Sequence, residues 1–168
     1  MKILLSLLIA IIFIAGCAKK DATCSYVDST AVAPAAEIKQ LKDSLDSAGI
    51  TGAIMDPSGF FFKINASGSG TGVANLCTGI AVTYKGKFFN GKVFDSTIAP
   101  QTANFQLGQV IVAWQKGVPL VSKGGDIDLY IPPSLAYGAK PVINPATGNT
   151  IIPANSYLIF NVHVVDIQ

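Results

Sequence analysis

The chain has 168 residues, 50% of them hydrophobic and 13% charged, with a formal net charge of +2, which fits one domain of ordinary size with extensions. All twelve basic residues are lysines, so the bidentate guanidinium contacts that read phosphate and guanine are missing and nucleic acid is excluded as a partner. A single histidine, His163, excludes His-rich zinc and iron sites in the same way.

Met1 and Lys2 precede an unbroken apolar run from Ile3 to Ala15. As a helix, thirteen residues span about 20 Å, short of the roughly 30 Å hydrocarbon core of a bilayer. The run therefore reads as a signal-peptide core rather than a membrane anchor. It ends in Ile14-Ala15-Gly16-Cys17, which resembles the lipobox of bacterial lipoproteins. That resemblance implies cleavage before Cys17 and acylation of its sulfur and new amino terminus; the alternative is an ordinary secretory signal with a chance cysteine. Acyl chains of this kind anchor firmly, because each buried methylene contributes about 0.8 kcal/mol. Residues 1–16 are thus expected to be removed. The protein is expected at the cell envelope, held by lipid to the inner or outer membrane, with its domain in the periplasm or at the cell surface. In that oxidising compartment Cys24 and Cys77 can form a disulfide or remain two thiols, one of them buried. Their spacing leaves both open.

Residues 17–71 form an extension before the main domain. Ala18 to Ala33 is small and polar, has no period and reads as a tether. Pro34 opens a helix with Glu37 in its first turn, apolar residues at Ile38, Leu41, Leu45 and Ala48, and Gly49 at its close. This narrow stripe needs a partner surface, either another protomer or the protein's own domain, and is read as packing on its own domain. Asp56-Pro57-Ser58-Gly59 is a turn, and Phe60 to Ile64 a short strand. Asn65 to Gly72 is a Gly/Ser linker. Its glycines do not make a phosphate loop, because strand alternation follows them where a helix would be needed.

Residues 72–168 carry the main domain. Ile80, Val82 and Tyr84 alternate with Ala81, Thr83 and Lys85, a strand lies near Phe105 to Leu107, and Val110, Ile111, Trp114 and Val118 recur at helical spacing. Leu120 to Ile131 reads as a strand ended by Pro132-Pro133. Ala139 to Asn149 reads as a long loop, and Tyr157 to Ile167 as a final strand with Leu158, Phe160, Val162 and Val164 on one face. The expected fold is α+β, an antiparallel sheet with one short helix. His163 lies on the opposite face of the last strand, with no orienting carboxylate nominated by spacing for a hydrolytic triad. Tyr84, Phe94, Phe105, Val110, Ile111, Trp114, Tyr137, Ile152 and Phe160 cluster near turns, consistent with core surrounding a concave apolar pocket.

Six stretches follow one another in a recognisable order: Val82-Thr83-Tyr84-Lys85-Gly86, Gly91-Lys92-Val93-Phe94-Asp95-Ser96, Phe105-Gln106-Leu107-Gly108 running into Gln109 to Trp114, Leu129 to Gly138, Ile151 to Asn155 and Leu158 to Val162. This order of motifs resembles the FKBP-type peptidyl-prolyl cis-trans isomerase family. The resemblance implies a curved antiparallel sheet wrapped around the short helix, and an enzyme that assists the folding of exported proteins. Its substrates would be proline-containing polypeptides, the family's macrolide inhibitor a possible ligand, and neither cofactor nor metal is implied. Carried over, Trp114 forms the pocket floor and Tyr84, Phe94, Phe105 and Phe160 its walls. Val110 and Ile111 line one side, and the Ile111 amide meets a substrate carbonyl. Asp95 and Tyr137 make the catalytic polar contacts, and Ile152 closes the loop side. Ala103 stands where many members carry phenylalanine, which implies a more open pocket, and the loop from Tyr137 to Ile152 is longer than in compact members. Two other readings share the fold: a catalytically weak binding module or chaperone, and an accessory subunit of an envelope complex docked through the Pro34 to Ile50 helix and the long loop.

Overall fold

A computed structural model describes residues 24–98 and 100–168; the segment read as a signal peptide and Cys17 lie outside the described residues. Nine strands are ordered along the chain as β1 (Ile54–Met55), β2 (Phe61–Ala66), β3 (Gly79–Phe88), β4 (Val93–Ser96), β5 (Ala103–Gln106), β6 (Asp126–Ile131), β7 (Val142–Ile143), β8 (Thr150–Ile152) and β9 (Leu158–Ile167). The helices are α1 (Ala35–Ser47) and α2 (Val112–Gly117). Seven strands form one antiparallel sheet in the order β1-β2-β6-β9-β3-β4, with β5 also pairing β3. One edge of β3 is therefore shared: Gly79 to Val82 pairs β5, and Lys85 to Lys87 pairs β4. Irregular register at Ala81/Val82, Gly86/Lys87 and Ile64/Ala66 adds local bend and twist.

Strand alternation puts one face of this sheet on the core. Ile127, Leu129 and Ile131 of β6 and Leu158, Phe160, Val162 and Val164 of β9 are all buried, and they cover the underside of α2 at Ala113, Trp114 and Gly117. The sequence pattern gives this face directly, because residues two apart on a strand share a side.

The opposite face is covered by α1. Leu41 and Leu45 bury against Phe61, Tyr130 and Ile159, and burying a leucine contributes roughly 1.5–3 kcal/mol. The Ser134 amide donates to Glu37 Oε2 at 3.0 Å, and the Tyr157 hydroxyl to Gln40 Oε1 at 3.0 Å. The partner surface of the apolar stripe is thus the protein's own sheet. Among the described residues no helix is long and apolar enough to cross a membrane.

The segments read as irregular are more ordered than their composition suggests. Cys24 and Cys77 are joined by a disulfide with Cα atoms 5.6 Å apart, and the Ala33 amide donates to the Ser58 carbonyl at 2.8 Å. Residues 24–33, read as tether, are therefore fastened along the domain. The Gly/Ser linker is hydrogen-bonded to the chain before β6, with Ser69 donating to the Lys123 carbonyl and Ser122 to the Ser67 carbonyl. That turn through Ser122 to Gly125 is why the strand read from Leu120 begins only at Asp126. The long loop contains the β7–β8 hairpin, in which Val142 pairs Ile152.

Candidate functional site

One cavity of about 240 Å³ opens between α2 and the concave face of the sheet. Trp114 of α2 forms its base, only 4% exposed. Three rings stand nearly perpendicular to the indole: Tyr84 from β3 at 5.5 Å and 84°, Phe105 from β5 at 5.9 Å and 87°, and Phe160 from β9 at 5.3 Å and 88°. Edge-to-face packing of this kind places positive ring edges on negative ring faces and adds about 0.5–1.5 kcal/mol per pair to the area buried. The result is a rigid apolar box whose walls hold one another in place.

Two polar side chains stand among these rings. Asp95 of β4 accepts a hydrogen bond from the Tyr84 hydroxyl at 2.5 Å. The backbone of Tyr84 is bracketed by Thr97, whose Oγ1 accepts from the Tyr84 amide at 3.0 Å and whose own amide donates to the Tyr84 carbonyl at 3.1 Å. Tyr137, 41% exposed, lines the same cavity from the loop after β6. That loop is fixed by the Gly138 amide donating to the Pro133 carbonyl at 2.9 Å. Burial, and then the hydrogen bond to Asp95, push the Tyr84 hydroxyl well above its ordinary range. Burial, and then the nearby Asp95 charge, also raise Tyr137. Both hydroxyls therefore stay protonated at neutral pH and can donate hydrogen bonds.

The third side is the short stretch that enters α2. Val110 and Ile111 line the cavity, and Gln115 clamps them from within the helix, its Nε2 donating to the Val110 carbonyl at 2.7 Å and the Gly108 carbonyl at 3.4 Å. Ile111 adopts an extended conformation (φ −60°, ψ 152°) at the helix entry, and its amide finds no acceptor among the described residues.

A model of the FKBP-type peptidyl-prolyl cis-trans isomerase family matches residues 73–165. This chain belongs to that family. The chain is 43% identical over 112 residues to a probable FKBP-type peptidyl-prolyl cis-trans isomerase of Haemophilus influenzae, covering 66% of this chain and 44% of that protein. It is 35% identical over 118 residues to outer membrane protein MIP of Legionella longbeachae, covering 70% and 48%. The crystal structure of FkpA from Escherichia coli superposes with a TM-score of 0.62 at 29% identity, covering 80% of this chain and 63% of that one. The chain spans about half the length of the curated relatives it matches.

Within this FKBP-type domain, eight of the ten residues expected at the pocket share the cavity: Tyr84, Asp95, Phe105, Val110, Ile111, Trp114, Tyr137 and Phe160. Phe94 and Ile152 stand behind the lining. Phe94 packs edge-on against Phe160 at 5.5 Å and, tilted, against Phe88 at 5.0 Å, while Ile152 is buried in the core. Phe94 and Phe160 meet over Gly86, where a Cβ would come within 2.6 Å of one ring and 2.8 Å of the other. Gln109 also lines the cavity, and sequence reasoning passed over it because a lone glutamine in a turn carries no period. Ala103 of β5 pairs Val82 of β3 and is not part of the lining.

His163 has the carboxylate partner that spacing did not reveal. Its Nδ1 lies 2.9 Å from Asp126 Oδ1 across the β6–β9 register, on the face away from the cavity. Among the described residues no group of three His, Cys, Asp or Glu side chains is placed to hold a metal ion.

Proposed function

We propose that this chain is a peptidyl-prolyl cis-trans isomerase that acts on exported polypeptides at the bacterial cell envelope, held there by lipid on Cys17. The observation that carries the reading is the indole floor with three perpendicular rings, joined in one cavity by Asp95 and Tyr137. Rotation about a peptide bond costs about 18–20 kcal/mol because the planar amide loses its resonance when twisted. X–Pro bonds populate both isomers yet exchange in tens of seconds or longer. A pyrrolidine ring seated on Trp114 and walled by Phe105 and Phe160 leaves water behind. The polar planar ground state loses solvation there, while fixed donors and charges replace water around the twisted amide.

The parts then divide the work. The unpartnered Ile111 amide receives a carbonyl of the bound chain and fixes its direction. The Tyr137 hydroxyl donates to the carbonyl before proline, and Asp95 sets a negative charge beside the rotating group while holding Tyr84 upright. No nucleophile, metal or proton transfer enters this scheme. Tyr137→Phe is expected to lower kcat/KM about tenfold, the contribution of one hydrogen bond, with the melting temperature unchanged. An unaltered rate removes Tyr137 from the mechanism.

The anchor rests on the apolar segment and the Ile14-Ala15-Gly16-Cys17 motif. Cells grown with labelled palmitate are expected to incorporate it into the wild-type protein and not into Cys17→Ser. A wild-type protein that takes up no label, or a Cys17→Ser variant labelled like it, rules out lipid on Cys17.

A further inference from the structure

The cavity wall at residues 109–111 is gripped from outside as well as from inside. Gln115 holds it on the helix side. On the other side lies Tyr26, in the segment that precedes the family domain. We propose that Tyr26 is a positioning residue for the isomerase site, setting the Gln109–Ile111 wall through Gly108; the inference rests on the isomerase reading above.

The contact is close and specific. A Cβ on Gly108 would collide with Cγ, Cδ1 and Cδ2 of the Tyr26 ring, so the ring sits directly on bare backbone and only glycine fits beneath it. The Tyr26 hydroxyl donates to Gln106 Oε1 at 3.2 Å, and Gln106 Nε2 donates to the Cys77 carbonyl at 3.4 Å. Cys77 in turn is bonded to Cys24, two residues before Tyr26. Disulfide, ring and glutamine thus form a closed circuit around residues 106–108. The Leu107 and Gly108 amides complete it by donating to the Thr78 and Leu76 carbonyls at 3.0 and 2.7 Å.

This circuit matters to the site because of where it leads. Gly108 is followed at once by Gln109, Val110 and Ile111, all on the cavity. A simple tether needs neither a ring seated on a glycine nor a bond back to the strand beneath it. With the ring in place, the turn from Gln106 to Ile111 is fixed between Tyr26 and Gln115, and the Ile111 amide keeps its aim. Without it, the turn is held from one side only. Small errors in placement are costly, since a displacement near 1 Å can cost up to about a hundredfold in kcat/KM, and here the displaced group is the amide that receives the bound chain.

The test compares Tyr26→Ala with Tyr26→Phe in the otherwise unaltered chain, well below the melting temperature of each. In amide nitrogen–proton spectra without ligand, Tyr26→Ala should shift the Gly108–Ile111 signals, and Tyr26→Phe should leave them close to wild type. With an Ala-Leu-Pro-Phe peptide, Tyr26→Ala should raise KM about tenfold with kcat little changed, and Tyr26→Phe should restore it. A Tyr26→Ala chain with wild-type amide signals and KM, altered only in stability, overturns the proposal. So does a Tyr26→Phe chain as impaired as Tyr26→Ala, because then the seated ring is not the agent. If the unmodified chain does not isomerise the peptide, the isomerase reading fails by itself. The amide signals, which need no substrate, then decide whether Tyr26 positions the wall.

Discussion

Replacing Cys24 and Cys77 together by serine is expected to lower the unfolding free energy by about 3–4 kcal/mol. The bridge links residues 53 apart in sequence, and a cross-link over a loop of that size removes substantial freedom from the unfolded chain. The loss extends beyond loop closure, because the bridge keeps Tyr26 seated on Gly108 and anchors the segment that runs to Ala33, itself buried. At about 3 °C for each kcal/mol in a domain of this size, the melting temperature should fall by about 10 °C. Reduction of the wild-type protein should lower it by the same amount and leave the serine variant unaffected. A variant that melts with wild type would mean that residues 24–33 dock without help from the bridge.

The second large effect is at Asp95. Asp95→Leu is expected to lower kcat/KM by about a hundredfold, because it removes the negative charge beside the rotating amide and the acceptor that holds the Tyr84 hydroxyl. Asp95→Asn separates these roles. Its side-chain oxygen can still accept from Tyr84, so peptide affinity should be kept, while the loss of negative charge should lower kcat about tenfold. If Asp95→Asn turns over at the wild-type rate, the carboxylate serves only to hold Tyr84, and catalysis lies with the apolar box and Tyr137. Both variants should melt close to wild type, since the Tyr84–Asp95 pair stands at an exposed position.

What the sequence made legible is what depends on local pattern. The inward faces of β6 and β9 follow from alternation of apolar residues, and α1 follows from Pro34, a narrow apolar stripe and Gly49. Helical spacing marks Trp114 of α2 and strand alternation marks Phe160 of β9, and the two meet in the cavity. Features that depend on long-range register were hidden. Asp126 and His163 lie 37 residues apart, and only the pairing of β6 with β9 brings them together. Tyr26 meets Gly108 through the disulfide, which spacing left open. The strand read from Leu120 failed because hydrogen bonds to the Gly/Ser linker fix Ser122 to Gly125 as a turn. The β7–β8 hairpin escaped notice because strands of two and three residues are too short to show a period. Gln109 had no signal except its place between a glycine turn and the helix entry.

Whether the ring-walled cavity twists prolyl peptide bonds is read directly from cis-to-trans relaxation of an Ala-Leu-Pro-Phe peptide with the protein present. The relaxation should accelerate in proportion to protein concentration, be blocked by the family's macrolide inhibitor and be largely unassisted by Asp95→Leu. A folded protein, with the single tryptophan in its buried state, that leaves the relaxation at the uncatalysed rate would contradict the isomerase reading.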